Sequence, residues 1–254
     1  MKGVLCVTKN VLVTGACGGL GSAAVRSFLA RGDRVFVTDR PEAPLASLTE
    51  DLGREGWTVA SAAADIRDSH AVRKVAEASV DEMGSLDVLV HAAGGSHLML
   101  TREPNKPLWE LTPENWQLVI DVNLYGSINW VVSAAEVMKK QRDGAIVLVA
   151  SGTGVRPGKN MASYAAAKAG VLGLMKAAAV ELGEYNIRVN AVNPGMMLHD
   201  RMPALSPGWA DGYLAQTTLG RLSTPEEVGA FICSIVDQEA MSGQVLNLDS
   251  RYLH

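Results

Sequence analysis

Tyr164 and Lys168 stand four residues apart in a stretch with helical pattern, SYAAAKAGV, so their side chains share one face and reach one bound molecule. A phenol with an ordinary pKa of about 10 is a poor base at neutral pH, and a neighbouring ammonium favours its ionised form. Such a pair suits proton transfer to or from a substrate oxygen. Ser151 closes the apolar run AIVLVAS thirteen residues before the tyrosine, where a hydroxyl can hold that same oxygen in place. Asn123, in DVNLYGS, falls in mid-helix, an unfavourable place for asparagine, with the helix-weakening Gly126 about one turn on. It is either a solvated polar residue or a group that uses a loosened helix to hold a water.

A second signature lies near the start, where Gly15-Ala16-Cys17-Gly18-Gly19-Leu20-Gly21 follows VLVT and precedes the helical pattern SAAVRSFLA. Glycines there permit a tight turn, close approach of a pyrophosphate and close helix–strand packing, while the helix N-terminus attracts phosphate charge. The next apolar run ends in Asp39. Its carboxylate is placed to accept hydrogen bonds from adenosine ribose hydroxyls and to repel a 2′-phosphate, and its alternative is a turn former ahead of Arg40-Pro41. Arg40 argues the other way, since a guanidinium beside that strand end suits a phosphate. Asp65, ending the third run, lies either near the adenine or as the cap of its own loop.

These residues need a scaffold, and the chain alternates strand and helix. Apolar β-branched runs at 11–15, 34–39, 57–62, 86–92, 145–151, 187–192 and 244–249 are continuous rather than alternating, as in strands buried on both faces of a parallel sheet. Helix-period segments lie near 20–31, 68–83, 113–140, 161–183 and 225–237, several closed by a glycine cap: Gly32, Gly84, Gly144 and Gly183. Thr112-Pro113-Glu114 and Thr224-Pro225-Glu226-Glu227 are helix starts, each with an N-cap, a first-turn proline and acid at the positive end of the dipole. The expected fold is α/β, a single Rossmann-type doubly wound parallel sheet of about seven strands spanning 1–254.

Composition excludes other classes. With 254 residues, 48% hydrophobic and a net charge of −4, the chain can bury a core and lacks the basic footprint of a nucleic-acid binder or of a protein held on an anionic membrane. Cys6, Cys17 and Cys233 are scattered, without metal-ligand spacing, which fits reduced thiols in the cytoplasm. The start shows no signal-peptide pattern, and no later run reaches the roughly 18 charge-free apolar residues of a membrane span.

Together TGACGGLG, Asp39, Asp65, Asn123, Ser151, the YAAAK of Tyr164 and Lys168, and Asn193-Pro194-Gly195 resemble the classical short-chain dehydrogenase/reductases over essentially the whole chain. The resemblance implies hydride transfer between a nicotinamide cofactor and a small-molecule substrate. It makes Tyr164 the acid/base, Lys168 the residue that lowers its pKa and binds the nicotinamide ribose, Ser151 the substrate-orienting hydroxyl and Asn123 the holder of a relay water. It also places Gly15, Cys17, Gly18, Gly19, Leu20, Gly21, Asp39, Arg40, Asp65, Ile66, Ala93, Gly94, Pro194 and Gly195 around the cofactor. Asp39, and the lack of a basic residue at Gly18, make that cofactor NAD. The alternatives are an NADP-dependent ketone or 3-oxoacyl reductase, or a nucleotide-sensing relative without turnover. The resemblance further implies a homotetramer pairing the helices at 113–140 and 161–183.

The chain departs from the family pattern in three places. His91-Ala92-Ala93-Gly94 stands for Asn-Asn-Ala-Gly, which puts side-chain support between neighbouring strands in question. His199 replaces the usual threonine, and Asp249-Ser250-Arg251 replaces Asp-Gly-Gly. A substrate loop near 95–112, longer than the family's, carries His97, Arg102 and Lys106. The loop after Ser151 adds Thr153, Arg156 and Lys159, and a lid near 195–218 adds His199 and Arg201. Cations converging on one pocket would select an anionic hydroxy or oxo compound, and the alternative is solvated surface charge. Among these, His97, Thr153, Arg156 and His199 are the candidate substrate contacts.

Overall fold

The computed structural model describes residues 8–197 and 209–251. Its sheet holds seven parallel strands: β1 Asn10–Thr14, β2 Arg34–Asp39, β3 Ala60–Ala63, β4 Val88–His91, β5 Gly144–Val149, β6 Ile187–Asn193 and β7 Val245–Asn247. The helices are α1 Gly19–Arg31, α2 Leu45–Arg54, α3 Ser69–Met83, α4 His97–Thr101, α5 Pro113–Ile120, α6 Gly126–Gln141, α7 Ala162–Leu182, α8 Trp209–Leu214 and α9 Pro225–Val236. Strand order β3-β2-β1-β4-β5-β6-β7 reverses direction between β1 and β4, and such a switch point opens a crevice at the carboxyl ends of the strands.

Successive strand residues point to opposite faces, and here both faces are covered. Leu12, Leu89, Ile146 and Val189 pack with Val72 of α3, Met138 of α6 and Met175 of α7. Val11, Val13, Val90 and Val147 pack with Phe28 of α1, Leu48 of α2 and Ile232 of α9. Each such burial stabilises the fold by about 1.5–3 kcal/mol, which explains why the apolar runs do not alternate. The edge strands differ. β3 and β7 have one neighbour each and carry only partly buried or exposed residues.

The two expected helix starts form as read. Thr112 Oγ1 accepts from Asn115 N and Asn115 Oδ1 from Thr112 N, both at 3.3 Å, and Thr224 with Glu227 repeats the box at 3.2 and 3.0 Å. Gly32 and Gly84 take the left-handed conformation, at φ 91° and 92°. Gly144 and Gly183 do not. Arg142 (φ 56°) and Asn186 (φ 59°) turn the chain instead, and Gly144 begins β5, where a Cβ would lie 2.5 Å from Met138 Sδ. Helix α2 was not anticipated, although Leu45, Leu48 and Leu52 at helical spacing mark its buried face. The helix expected over 113–140 is interrupted by a π-helical turn, Asp121–Tyr125. By length and composition alone Pro113–Gln141 would suit a membrane, but its Trp130, Ala134 and Met138 lie in the core beside the sheet.

Candidate active site

At the switch point the glycines of the first turn are required by contact. Gly15 has φ +65°, and a Cβ on it would stand 2.7 Å from Ala93 N; a Cβ on Gly21 would strike the Gly15 carbonyl. Gly18 N donates to Gly15 O (2.9 Å), closing the turn, while Cys17 and Leu20 are buried and anchor it. Helix α1 then starts at Gly19, so its unpaired first-turn N–H groups and the positive end of its dipole face the crevice. Asp39 is pinned against this turn: Oδ2 accepts from Cys17 N and Oδ1 from Arg40 N, both at 2.8 Å. The Arg40 side chain is exposed.

Asp65 takes the loop-capping alternative. It accepts from Arg67 N (2.9 Å) and pairs with the Arg67 guanidinium (2.5 Å), whose hydrogen bonds hold its pKa below the usual carboxylate value. Ile66 packs on α6, where a Cβ on Gly126 would come 2.7 Å from Ile66 Cδ1, and its carbonyl accepts from Asn129 Nδ2 (2.9 Å). Gly126 therefore serves close approach.

His91 at the end of β4 is buried beside its register partner Thr14, with Nδ1 2.7 Å from Thr14 Oγ1, so β1 and β4 keep a side-chain tie. Burial, with the charge of Lys168 adding, pushes its pKa down to about 3, so the imidazole is neutral. Gly94 has φ +146°, and a Cβ there would lie 2.7 Å from Asn123 Oδ1 and 3.4 Å from Lys168 Nζ. Asn123, fully buried in the π turn, spends its side chain on backbone. Nδ2 donates to Gly95 O (2.9 Å) and Val119 O (2.8 Å), and Oδ1 accepts from Gly95 N (3.0 Å). Its own carbonyl accepts from Ser127 Oγ at 2.6 Å.

Ser151 follows β5; its hydroxyl accepts from Thr153 N at 3.2 Å and lies near enough to the Tyr164 phenol to favour its ionised form. One turn along α7, Lys168 is buried, donates to Val149 O (2.8 Å) and holds its Nζ 5.8 Å from the Tyr164 ring centre. Burial outweighs the other influences here. It pushes Tyr164 up to about 12, against the neighbouring Ser151 hydroxyl that favours ionisation, and Lys168 down to about 8. The expected lowering of the tyrosine by the lysine is not the dominant effect: the amine's hydrogen bond goes to a backbone carbonyl and not to the phenol.

Of the loop cations, Arg102, Arg156 and Lys159 are exposed, and Lys106 pairs with Glu103 at 3.4 Å. His97 is buried at the start of α4, neither ring nitrogen having a hydrogen-bond partner among the described residues, with Nε2 3.5 Å from a Glu103 oxygen. His199 and Arg201 lie outside the described residues, as does Cys6. Gly195, after Pro194, has φ +72° and faces Asp249, whose Cγ would be 3.0 Å from a Cβ there. The sequence reading missed Tyr213 of α8 and Arg251. The Arg251 guanidinium sits 5.2 Å from the Tyr213 ring centre, and Tyr213 lies close enough to Tyr164 to raise its pKa slightly.

A nicotinamide-type dinucleotide fits this crevice. Besides the glycine cradle and Asp39, the buried polar atoms Thr38 Oγ1, His91 Nε2 and Asn193 Oδ1 lack partners among the described residues, all at carboxyl ends of strands. Sheet, glycine turn and Ser–Tyr–Lys cluster together define a dinucleotide-dependent oxidoreductase of the doubly wound class. Residues 9–207 match the short chain dehydrogenase family, and the chain belongs to that family, whose members use a nicotinamide cofactor. It is 35% identical over 249 residues to the 3-oxoacyl-[acyl-carrier-protein] reductase FabG of Chlamydia muridarum, covering 96% of this chain and 97% of the other. Its identity to the protein of that name from Thermotoga maritima is 35% over 243 residues, covering 95% and 96%. Among solved structures, a short-chain type dehydrogenase/reductase from Mycobacterium ulcerans superposes with a TM-score of 0.88 at 27% identity, covering 94% and 88%. A short chain dehydrogenase from Mycobacterium smegmatis gives 0.83 at 30%, covering 97% and 93%.

Proposed function

We propose that the protein is an NAD(H)-dependent oxidoreductase acting on a secondary alcohol or the corresponding ketone, with Tyr164, Ser151, Lys168 and Asn123 as its working residues. The observation that carries this reading is the grouping of Tyr164, Ser151 and buried Lys168 at the carboxyl edge of the sheet, with Lys168 Nζ 5.8 Å from the Tyr164 ring centre and bonded to Val149 O at the end of β5. A nicotinamide dinucleotide held by the glycine turn would supply or take up the hydride. Gly15 through Gly21 would hold its phosphates through backbone N–H groups, and Lys168 would bind the nicotinamide ribose. Ser151 orients the substrate oxygen. Tyr164, with its pKa pushed up to about 12, is protonated at neutral pH and donates its phenolic proton to that oxygen during reduction. Lys168, at about 8, still carries its charge at neutral pH and steadies the phenolate left behind. Asn123 is a positioning residue that fixes Gly95, and so the strand-end loop beneath the cofactor.

Asp39 supports NAD(H). Its carboxylate is held by two backbone donors against the glycine turn, where it would meet a 2′-phosphate. The names of the relatives favour a second reading, a 3-oxoacyl reductase; in an NADP(H)-dependent form of it Arg40 would be the phosphate contact. Comparing kcat/KM for the two cofactors across a panel of ketones and 3-oxoacyl thioesters separates the readings. The expected result is an NADH preference of about tenfold or more. A clear NADPH preference overturns the cofactor assignment, and dinucleotide binding without turnover favours a sensing role. We place the enzyme in the cytoplasm as a homotetramer. Tyr125, closing the π turn ahead of α6, Val132 within α6 and Val180 on α7 are exposed and apolar, on the segments the family pairs.

A further inference from the structure

We propose that Arg251 forms an anion subsite against Gly152, the residue after the catalytic serine, and that the substrate is accordingly an oxo acid, or its hydroxy form, carrying a free carboxylate. The inference rests on the oxidoreductase reading and deepens it.

The geometry brings three distant segments together. Arg251 Nη2 lies 3.1 Å from where a Cβ on Gly152 would stand, so the guanidinium rests on the residue next to Ser151. Tyr213, on whose ring the same guanidinium packs, lies near enough to Tyr164 to raise its pKa, so both neighbours of Arg251 border the cluster that holds the reacting oxygen. A substrate whose oxygen meets that cluster can extend a carboxylate to the guanidinium. On the other side the guanidinium packs on the Tyr213 ring, 5.2 Å from its centre, a favourable cation–π placement. The segment is tied down: Thr218 N and Oγ1 both donate to Ser250 O, at 2.8 and 3.0 Å, and Thr217 bridges Arg251.

Asp249 orients the arginine without exhausting it. Its Oδ2 accepts from Arg251 Nε (2.7 Å) and Nη2 (2.5 Å), and its Oδ1 from the Arg251 backbone N (3.0 Å). A guanidinium has five N–H donors, so among the described residues the Nη1 pair and the second Nη2 hydrogen remain for another acceptor in the planar fork that matches a carboxylate. Only 18% of the Arg251 side chain and 8% of Asp249 are exposed, so a charge-assisted bond formed there is poorly screened. A neutral thioester or ester in the same place offers that fork only a weak carbonyl acceptor.

The test uses the full-length protein saturated with NADH and two probes: sodium malonate, titrated by calorimetry, and acetoacetate against methyl acetoacetate in steady-state turnover. Malonate is expected to bind wild type, and R251Q to bind it at least about tenfold more weakly. The acid-to-ester ratio of kcat/KM is expected to fall by a similar factor in R251Q. R251K, which keeps the charge and loses the fork, should fall between and covers the case in which R251Q does not fold. Absent malonate binding in wild type, equal binding in the variants, or an equal loss on acid and ester would each overturn the subsite, the last by making Arg251 only a clamp for the chain end. Failure of the oxidoreductase reading shows itself separately, as no dinucleotide-dependent turnover of either acetoacetate compound, while the malonate titration still reads Arg251.

Discussion

Replacing Asn123 by alanine strips the strand-end loop of its support, and the cost can be worked from the bonds lost. The asparagine pairs with both backbone groups of buried Gly95, at 3.0 Å to its N–H and 2.9 Å to its carbonyl, and caps Val119 O at 2.8 Å. A buried group left without a partner costs about 1–3 kcal/mol, so stranding the two Gly95 groups costs about 2–6 kcal/mol. A water entering the vacated space recovers part of that, leaving about 1–4 kcal/mol. Asn123→Asp should be no better than alanine, because its second oxygen would face the carbonyls of Gly95 and Val119 where an NH2 now donates. Urea unfolding at neutral pH gives the loss, and amide hydrogen exchange at Gly95 locates it. A loss below about 1 kcal/mol with unchanged exchange at Gly95, or an aspartate variant as stable as wild type, would refute the reasoning.

Two buried groups tie stability to pH. His91 titrates at about 3 in the fold against 6.5 ordinarily, so from pH 6.5 down to 3 the unfolded chain binds the extra proton and stability falls with acid. His91→Asn should flatten that limb in urea midpoints measured across the window, and an unchanged acid limb would refute the assignment. Lys168 titrates at about 8 against 10.5, so between those values the unfolded chain holds a proton that the folded one lacks, and this group adds stability as pH rises. Lys168→Met should remove the rise, read as the difference between the two unfolding curves; identical pH slopes would show that the amine is not desolvated.

What the sequence disclosed was local. The glycine turn, the four-residue spacing of Tyr164 and Lys168, and the capping boxes at Thr112 and Thr224 each lie within a few residues, where sterics and hydrogen bonding leave little choice. The continuous apolar runs revealed the sheet because two-sided burial marks every interior strand. Convergence between distant segments was not legible. Arg251 reaches Gly152 and Tyr213 only through the fold, and in the sequence it was merely a departure from Asp-Gly-Gly. The balance of pKa influences was equally hidden, because the depth at which Tyr164 is buried depends on packing that spacing does not encode. Two helix ends were misassigned for a simpler reason: Arg142 and Asn186 accept the left-handed conformation that glycine was expected to fill.

The most direct test of the account is Tyr164→Phe, which keeps the ring on α7 and removes only the phenolic hydroxyl beside Ser151. Turnover of the best ketone found for wild type should fall by about 10²–10⁴, the usual worth of a positioned proton donor. The dissociation constant for NADH, followed by nucleotide fluorescence, should stay within about threefold, because the phenol acts on the substrate oxygen and not on the nucleotide. A variant that retains most of its kcat would contradict the assignment of Tyr164 as the acid and with it the mechanism drawn around the cluster.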